Sequence, residues 1–368
     1  MKHQRVAVVF GGRSGEHEIS LRSAHAIVRA LDAAKHEVIP VGIDKDGRWR
    51  TGRELLAVLQ RAERELVTLP PLGTEVTLVV DPTAPGLLPL GGGARIPIDV
   101  AFPILHGTFG EDGAVQGLFE MAGLPYVGAG VLGSAAGMDK GTTKALLRQA
   151  GIPVCRWIVA RAGREPVAAV RARIEEQFGF PCFVKPGNLG SSVGISKVHD
   201  PSELESALQC AASYDSSLII EEAIDGRELE CAVLGNERAE TSVLGELIPS
   251  REWYDYQDKY VGTGTRVVIP AEIEPAVAAE ARRLASAVFD AVGCCGLARV
   301  DFFLERATGR LYVNEINTMP GCTPSSMFPK MWEATGVPFG AVVERLLALA
   351  HERHAERARR RYSFSPAD

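Results

Sequence analysis

The sequence predicts an α/β fold, and three stretches carry that reading. Near the N-terminus, "RVAVVFGG", "SLRSAHAIVRALD" and "HEVIPVGID" follow one another as strand, helix and strand, the order that builds a parallel sheet. Further on, "VKPGNLGSSVGISKV" sets a glycine-rich loop between two strands. Last, "ARVDFFLERATGRLYVNEINTMPG", from Ala298 to Gly321, reads as two apolar strands that carry Asp301, Glu315 and Asn317.

Each element has its own signal. In the first helix Leu21, Ala24, Ile27, Val28 and Leu31 form an apolar stripe, with Ser20 as the expected N-cap. Residues 63–97 are rich in Pro and Gly with weak periodicity, which predicts peripheral connections and short strands. "IDVAFPILHG" reads as a buried strand and "AVQGLFEMAGLPYVG" as a helix running into a short strand. This first α/β unit is expected to span 1–128. A second unit, 129–224, opens with the helix of "MDKGTTKALLRQAGIPV" and continues through the glycine loop, helix "PSELESALQCAASY" and strand "SLIIEEAI". The third, 225–368, holds "ELECAVLG", the loop "REWYDYQDKYVGTG", helix "PAVAAEARRLASAVFDAVG", the paired strands and a final helix whose basic end reads as a solvated tail.

Bulk composition narrows the classes. At 368 residues the chain suggests two or three domains, and 46% hydrophobic content allows a large core. A net charge of −6 gives no global pull toward nucleic acid or a membrane surface. No apolar run is long enough to span a bilayer. The seven cysteines show no CxxC pair, which fits a reducing cytoplasm and argues against a zinc site. "MKHQRVAVVFGG" enters a strand at once, leaving no room for a signal peptide.

Three constellations carry chemistry. The loop after Lys185 brings Gly187, Gly190, Ser191, Ser192 and Gly194 together. It lacks the GxxxxGK[ST] pattern and no helix follows, so it reads either as a plain hairpin or as a flexible cover for a triphosphate. "LIIEEAIDGRELE" is either a charged strand end in solvent or a backbone edge that reads a flat heterocycle, with Glu228 near a ribose. Buried carboxylates are costly unless paired or bound to a metal. On adjacent antiparallel strands Asp301 and Glu315 can share a face, and Asn317 and Arg299 have matching parity. An ion-pair cluster is one reading. Three oxygen ligands beside one arginine favour a hard-oxygen cation site.

Taken together, "FGGRSGEHEIS", "LHGTFGEDG", "MDK", "VKPGNLGSSVG", "EWYDYQDKY", "ARVDFF" and "NEINTMPGCTPSSM" resemble the D-alanine:D-alanine ligases of the ATP-grasp superfamily, in family order from Val6 to about Leu349. VKP and NEIN are widespread in that superfamily. The combination of the EHEIS loop, LHG and the KY loop marks the ligase group. The stretch before Ile98 suggests the longer form, and Cys322 stands where an aromatic residue is expected.

The resemblance implies a three-domain ATP-grasp architecture: an N-terminal parallel α/β domain, then central and C-terminal α+β domains sandwiching ATP. It implies ATP-dependent joining of two D-alanines through an acyl phosphate, for peptidoglycan precursors, by a cytoplasmic homodimer without nucleic-acid or membrane partners. Lys140, Lys185, Ser191, Ser192 and Lys259 are implied around the phosphates. Glu221, Glu222, Ala223 and Ile224 fall at the adenine and Glu228 at the ribose, with Phe303 and Asn314 also in the nucleotide site. Asp301 with Glu315, and Glu315 with Asn317, are implied to hold two Mg²⁺ ions. Mn²⁺ is a candidate substitute, and a monovalent cation a candidate activator. Glu16 and His106 fall on the substrate side, Arg299 and Gly321 at the oxyanion, and Ser326 and Met327 at the second substrate. Tyr260 and Ser191 match the pair that ties the mobile loop to Glu16. Tyr260 also disfavours the runner-up reading, a ligase making D-alanyl-D-lactate. Retention of Arg299, Asp301, Glu315 and Asn317 disfavours a catalytically dead nucleotide-binding module.

Overall fold

A computed structural model describes residues 3–190, 193–249 and 265–361. Strand β1 (Gln4–Gly11) is buried from Val6 onward, an uninterrupted apolar run because both faces are covered. Val6, Val8 and Phe10 pack on one side with α1 (His17–Ala30) and α2 (Glu54–Ala62). Ala7 and Val9 pack on the other with α3 (Ala114–Met121), the alternation a strand imposes. β1 pairs in parallel with β2 (His36–Ile43) and β7 (Val100–Pro103). Beyond β2 the sheet continues antiparallel through β3 (Trp49–Thr51), β4 (Thr74–Val79), β5 (Gly86–Pro89) and β6 (Ile96–Pro97). β4, β5 and β6 are the short strands foreseen in 63–97; β3 lies before that stretch.

Two local expectations change. Helix α1 begins at His17, so Ser20 lies inside it rather than capping it. The Ser20 hydroxyl is already committed: it donates to Ile104 O at 2.5 Å and accepts from Gly11 N–H at 2.7 Å. After α3, Tyr126 makes one bridge to Ala101 in place of the expected short strand. Helices α4 (Val131–Met138), α5 (Lys140–Gln149) and α6 (Val167–Gln177) follow. Asp139 separates α4 from α5 and caps the latter, accepting from Thr142 N–H at 2.7 Å. The sequence gives little sign of α4, because "VLGSAAGM" has no polar face to reveal a period.

The second sheet has the order β10-β9-β11-β8 and is antiparallel: β8 (Trp157–Arg161), β9 (Cys182–Pro186), β10 (Ser196–Val198) and β11 (Ser217–Glu222). Helices α6 and α7 (Leu204–Ala212) close its core. The third sheet runs β14-β13-β12-β15-β16, also antiparallel. Its strands are β12 (Gly226–Gly235), β13 (Glu240–Ile248), β14 (Arg266–Val268), β15 (Gly296–Glu305) and β16 (Leu311–Asn317). Helix α8 (Pro275–Ala291) packs on one face. On the other, α9 (Met327–Ala334) and α10 (Phe339–Ala358) share a continuous core with β1, β7 and α1. That shared core fixes the first sheet relative to the third, and so places the loop after β1 near the end of β16.

Candidate active site

A cleft of about 720 Å³ opens where β9 and β11 face β12, β15 and β16. Lys140, Lys185, Glu221, Glu222, Ala223, Ile224, Glu228, Arg299, Asp301, Phe303, Asn314 and Glu315 all line it. Glu228 and Phe303 are direct cross-strand partners, which accounts for their shared face.

The carboxylates at the cleft floor pair as the sequence suggests. Asp301 stands opposite Glu315, and Arg299 opposite Asn317. One rung further the register slips: Phe302 meets Val313, leaving Asn314 as the extra residue of a β-bulge. Strict alternation would send Asn314 and Glu315 to opposite faces. The bulge is what lets both line the cleft.

Part of the answer to how these charges are borne lies in Arg299. Its Nε and Nη2 donate to the two Asp301 oxygens at 2.7 Å each, and Nε lies 3.0 Å from Glu230 Oε2. Burial alone would lower the Arg299 pKa, but Asp301 and Glu230 outweigh it and hold the guanidinium charged. Glu315 sits 4.0 Å from Lys140 Nζ, and that ammonium also donates to Leu189 O at 2.6 Å. Asn317 Oδ1 accepts from Met319 N–H at 3.0 Å.

Asp301, Glu315 and Asn317 supply hard oxygen donors of the type Mg²⁺ prefers. Among the described residues no group of three or more His, Cys, Asp and Glu side chains forms a self-sufficient metal site. A divalent cation here would complete its sphere with phosphate oxygens and water, which is the usual habit of Mg²⁺.

Three of the residues expected at ligands spend their side chains within the protein. Glu221 points its carboxylate between two lysines, with Oε1 3.0 Å from Lys144 Nζ and Oε2 2.5 Å from Lys185 Nζ. Burial pushes this carboxyl up, yet the lysines hold it down at about 2. Glu221 therefore lines the cleft as an anchor for Lys185. Glu222 binds Arg156 at 2.8 and 2.5 Å. His106, expected at the substrate, uses both ring nitrogens on protein: Nε2 with Ser23 Oγ at 3.0 Å and Nδ1 with Met319 O at 3.1 Å. Burial lowers its pKa, so the imidazole is neutral and ties the end of β7 to the loop after β16.

Glu16 precedes α1 and lies beside two glycines of neighbouring loops. A Cβ on Gly107 or Gly190 would stand 3.0 or 3.2 Å from Glu16 Oε2. Ser326 immediately precedes α9 at its N-cap position, its hydroxyl bonded to Thr323 N–H at 3.1 Å and Thr323 Oγ1 at 2.7 Å. Gly321 folds against it, and a Cβ there would come within 2.9 Å of Ser326 Oγ. The Met327 side chain is buried in the core against Gly245, so only its main chain can face a substrate. Ser191, Ser192, Lys259 and Tyr260 lie outside the described residues, as do Trp253, Tyr254, Tyr256 and Asp258.

The structure adds residues that sequence reading did not single out. Lys144 is four residues after Lys140 and three before buried Leu147, a spacing that could have marked it as inward-facing. Glu230 backs Arg299. Glu111, inside the quoted "LHGTFGEDG", accepts from Gly107 N–H at 2.6 Å. Burial, helped by the charge of Glu16, raises its pKa well above the carboxylate range.

A cleft floored by paired carboxylates, walled by Lys185 on β9 and Lys140 at the start of α5, and closed by two antiparallel sheets defines an ATP-grasp enzyme. Matches to known proteins agree: residues 5–129 match the D-ala D-ala ligase N-terminus model and residues 146–348 the D-ala D-ala ligase C-terminus model. The chain belongs to the D-alanine–D-alanine ligase family. It is 46% identical over 363 residues to the D-alanine–D-alanine ligase of Heliobacterium modesticaldum, covering 98% of each chain. Its fold is similar to the D-alanine–D-alanine ligase of Coxiella burnetii, with a TM-score of 0.84, 37% identity and 97% of each chain covered. It is similar also to the VanG D-Ala:D-Ser ligase of Enterococcus faecalis, with a TM-score of 0.84, 34% identity, and 95% and 100% of the two chains covered.

Proposed function

We propose that this protein joins two D-alanines to D-alanyl-D-alanine with ATP, giving ADP and phosphate. The observation that carries the reading is the Asp301–Glu315 pair, set beside Arg299 and facing Lys140 and Lys185 across one cleft. Full-length similarity to a D-alanine–D-alanine ligase supports it.

In this reading Lys140 and Lys185 hold the triphosphate, with the main chain from Glu222 to Ile224 at the adenine and Glu228 at the ribose. Asp301, Glu315 and Asn317 would hold two Mg²⁺ ions, which supply charge neutralisation on the phosphates. Glu16 pairs with the ammonium of the first D-alanine. That substrate's carboxylate oxygen attacks the γ-phosphorus, ADP departs, and an acyl phosphate remains. The second D-alanine, its carboxylate near Ser326 and the start of α9, loses an ammonium proton, and its amine attacks the acyl carbon. Arg299 stabilises the oxyanion of the tetrahedral intermediate, which collapses with loss of phosphate. His106 keeps the Met319 end of the loop in place beneath the substrates. Three units, 1–128, 129–224 and 225–368, a homodimer and a bacterial cytoplasm as its compartment complete the proposal.

The test adds D-alanine to protein, ATP and Mg²⁺ and measures phosphate together with product mass, with D-serine and D-lactate as competing acceptors. D-Alanyl-D-alanine as the main product is the expected result. No phosphate release, or a different main product, overturns the reading. Light scattering tests the dimer.

A further inference from the structure

Lys144 has no role in that scheme, yet the fold places it with care. Its side chain is 1% exposed, and its ammonium meets three acceptors: Glu221 Oε1 at 3.0 Å, Asn314 O at 3.3 Å and Cys155 Sγ at 3.3 Å. A buried ammonium is costly unless every proton has a partner, and here three donors face three acceptors. All three acceptor residues line the nucleotide cleft. Glu221 is the carboxylate that grips Lys185 from the other side. Asn314 is the bulged residue, whose carbonyl falls where the ladder with β15 is interrupted.

Charge counting shows what Lys144 changes. Lys185 and Glu221 alone sum to zero, so an anchored Lys185 would offer phosphate a cancelled charge. With Lys144 behind the carboxylate the trio carries one net positive charge. We infer that Lys144 is a positioning residue of the nucleotide site: it takes up the charge of Glu221 so that Lys185 can be both held and cationic toward a triphosphate, and through the Asn314 carbonyl it fixes the bulge that lets Asn314 line the cleft beside Glu315. This rests on the ATP reading above and deepens it.

The test is equilibrium binding of Mg²⁺-ATP and of adenosine to the full chain. Lys144→Met is expected to weaken ATP about tenfold or more while moving adenosine less than about twofold, because only the phosphates feel the missing charge. In Lys144→Met/Glu221→Gln no carboxylate opposes Lys185, so the ATP-to-adenosine affinity ratio is expected to return to within about threefold of the parent protein. A residue that merely filled space would weaken both ligands alike in the single variant, and that result overturns the inference. Should the single variant fail to fold, the double variant decides: a ratio about tenfold or more below the parent overturns it, and a near-parental ratio supports it. Parent protein that does not bind ATP would instead strike at the proposed function.

Discussion

Asp301 and Glu315 face each other across adjacent strands, and the rung beyond them skips Asn314. Their carboxylates therefore stand side by side at the point where the ladder is irregular. Glu315 is the member shared by both proposed cation sites. Glu315→Gln is expected to lower kcat by about a hundredfold or more, and Asn317→Ala by about tenfold, with the Mg²⁺ dependence shifted to higher concentration in both. Steady-state kinetics across a Mg²⁺ series checks this. Equal, mild losses with an unchanged Mg²⁺ optimum would remove the metal assignment.

Glu16 lies close enough to Gly190 that a methyl group there would sit 3.2 Å from its Oε2. Gly190→Ala is therefore expected to push that carboxylate off its line to the first D-alanine. The KM for D-alanine should rise roughly five- to twentyfold while adenosine affinity holds, since a lost charged hydrogen bond is of that order. A D-alanine KM equal to that of the parent protein would place Glu16 elsewhere.

Arg353 on α10 donates to Gly128 O, to Tyr126 O at 3.0 Å and to Cys295 Sγ at 2.9 Å, and stacks 4.1 Å from the Tyr126 ring centroid. It staples the final helix to the end of the first unit. Arg353→Met would leave two carbonyls without this donor, and a loss of about 2–4 kcal/mol is expected by urea unfolding. Turnover per folded molecule at 25 °C should change little. Unaltered stability would show that the apolar core of α10 alone suffices.

Acid should weaken the loop that carries Glu16. His17 is buried, its Nδ1 bonded to Gly12 O at 2.8 Å while Nε2 accepts from Leu69 N–H at 3.1 Å. Burial lowers its pKa below the ordinary value near 6.5, and burial does the same for His106. The unfolded chain thus takes up protons first as pH falls. The stability from both neutral rings is complete above about pH 6.5 and drains away below it. Thermal melting between pH 7.5 and 5.0 should show the midpoint dropping below pH 6.5, and His17→Gln should flatten that slope. A parent protein whose midpoint is level across this range would contradict the buried neutral assignment.

Most of the order of strands and helices, though not α4 or α6, and the Asp301–Glu315 pairing follow from the sequence alone, because periods of 2 and 3.6 are local properties of the backbone. The grouping of lysines and carboxylates into one cleft was legible through motif resemblance, residue by residue. Other features needed the packed molecule. Parity alone sets Asn314 away from Glu315; only the bulge, pinned by a lysine some 170 positions earlier, brings both to the cleft. Glu221 looks like a ligand contact in sequence, and packing turns it into the counter-ion of Lys144 and Lys185. His106 and Ser20 look like a substrate contact and a cap, yet the carbonyls of Met319 and Ile104 claim them. A local pattern fixes which way a side chain points. Which distant donor or acceptor waits there is set by how the sheets and helices pack, and for a buried polar group that partner decides the role.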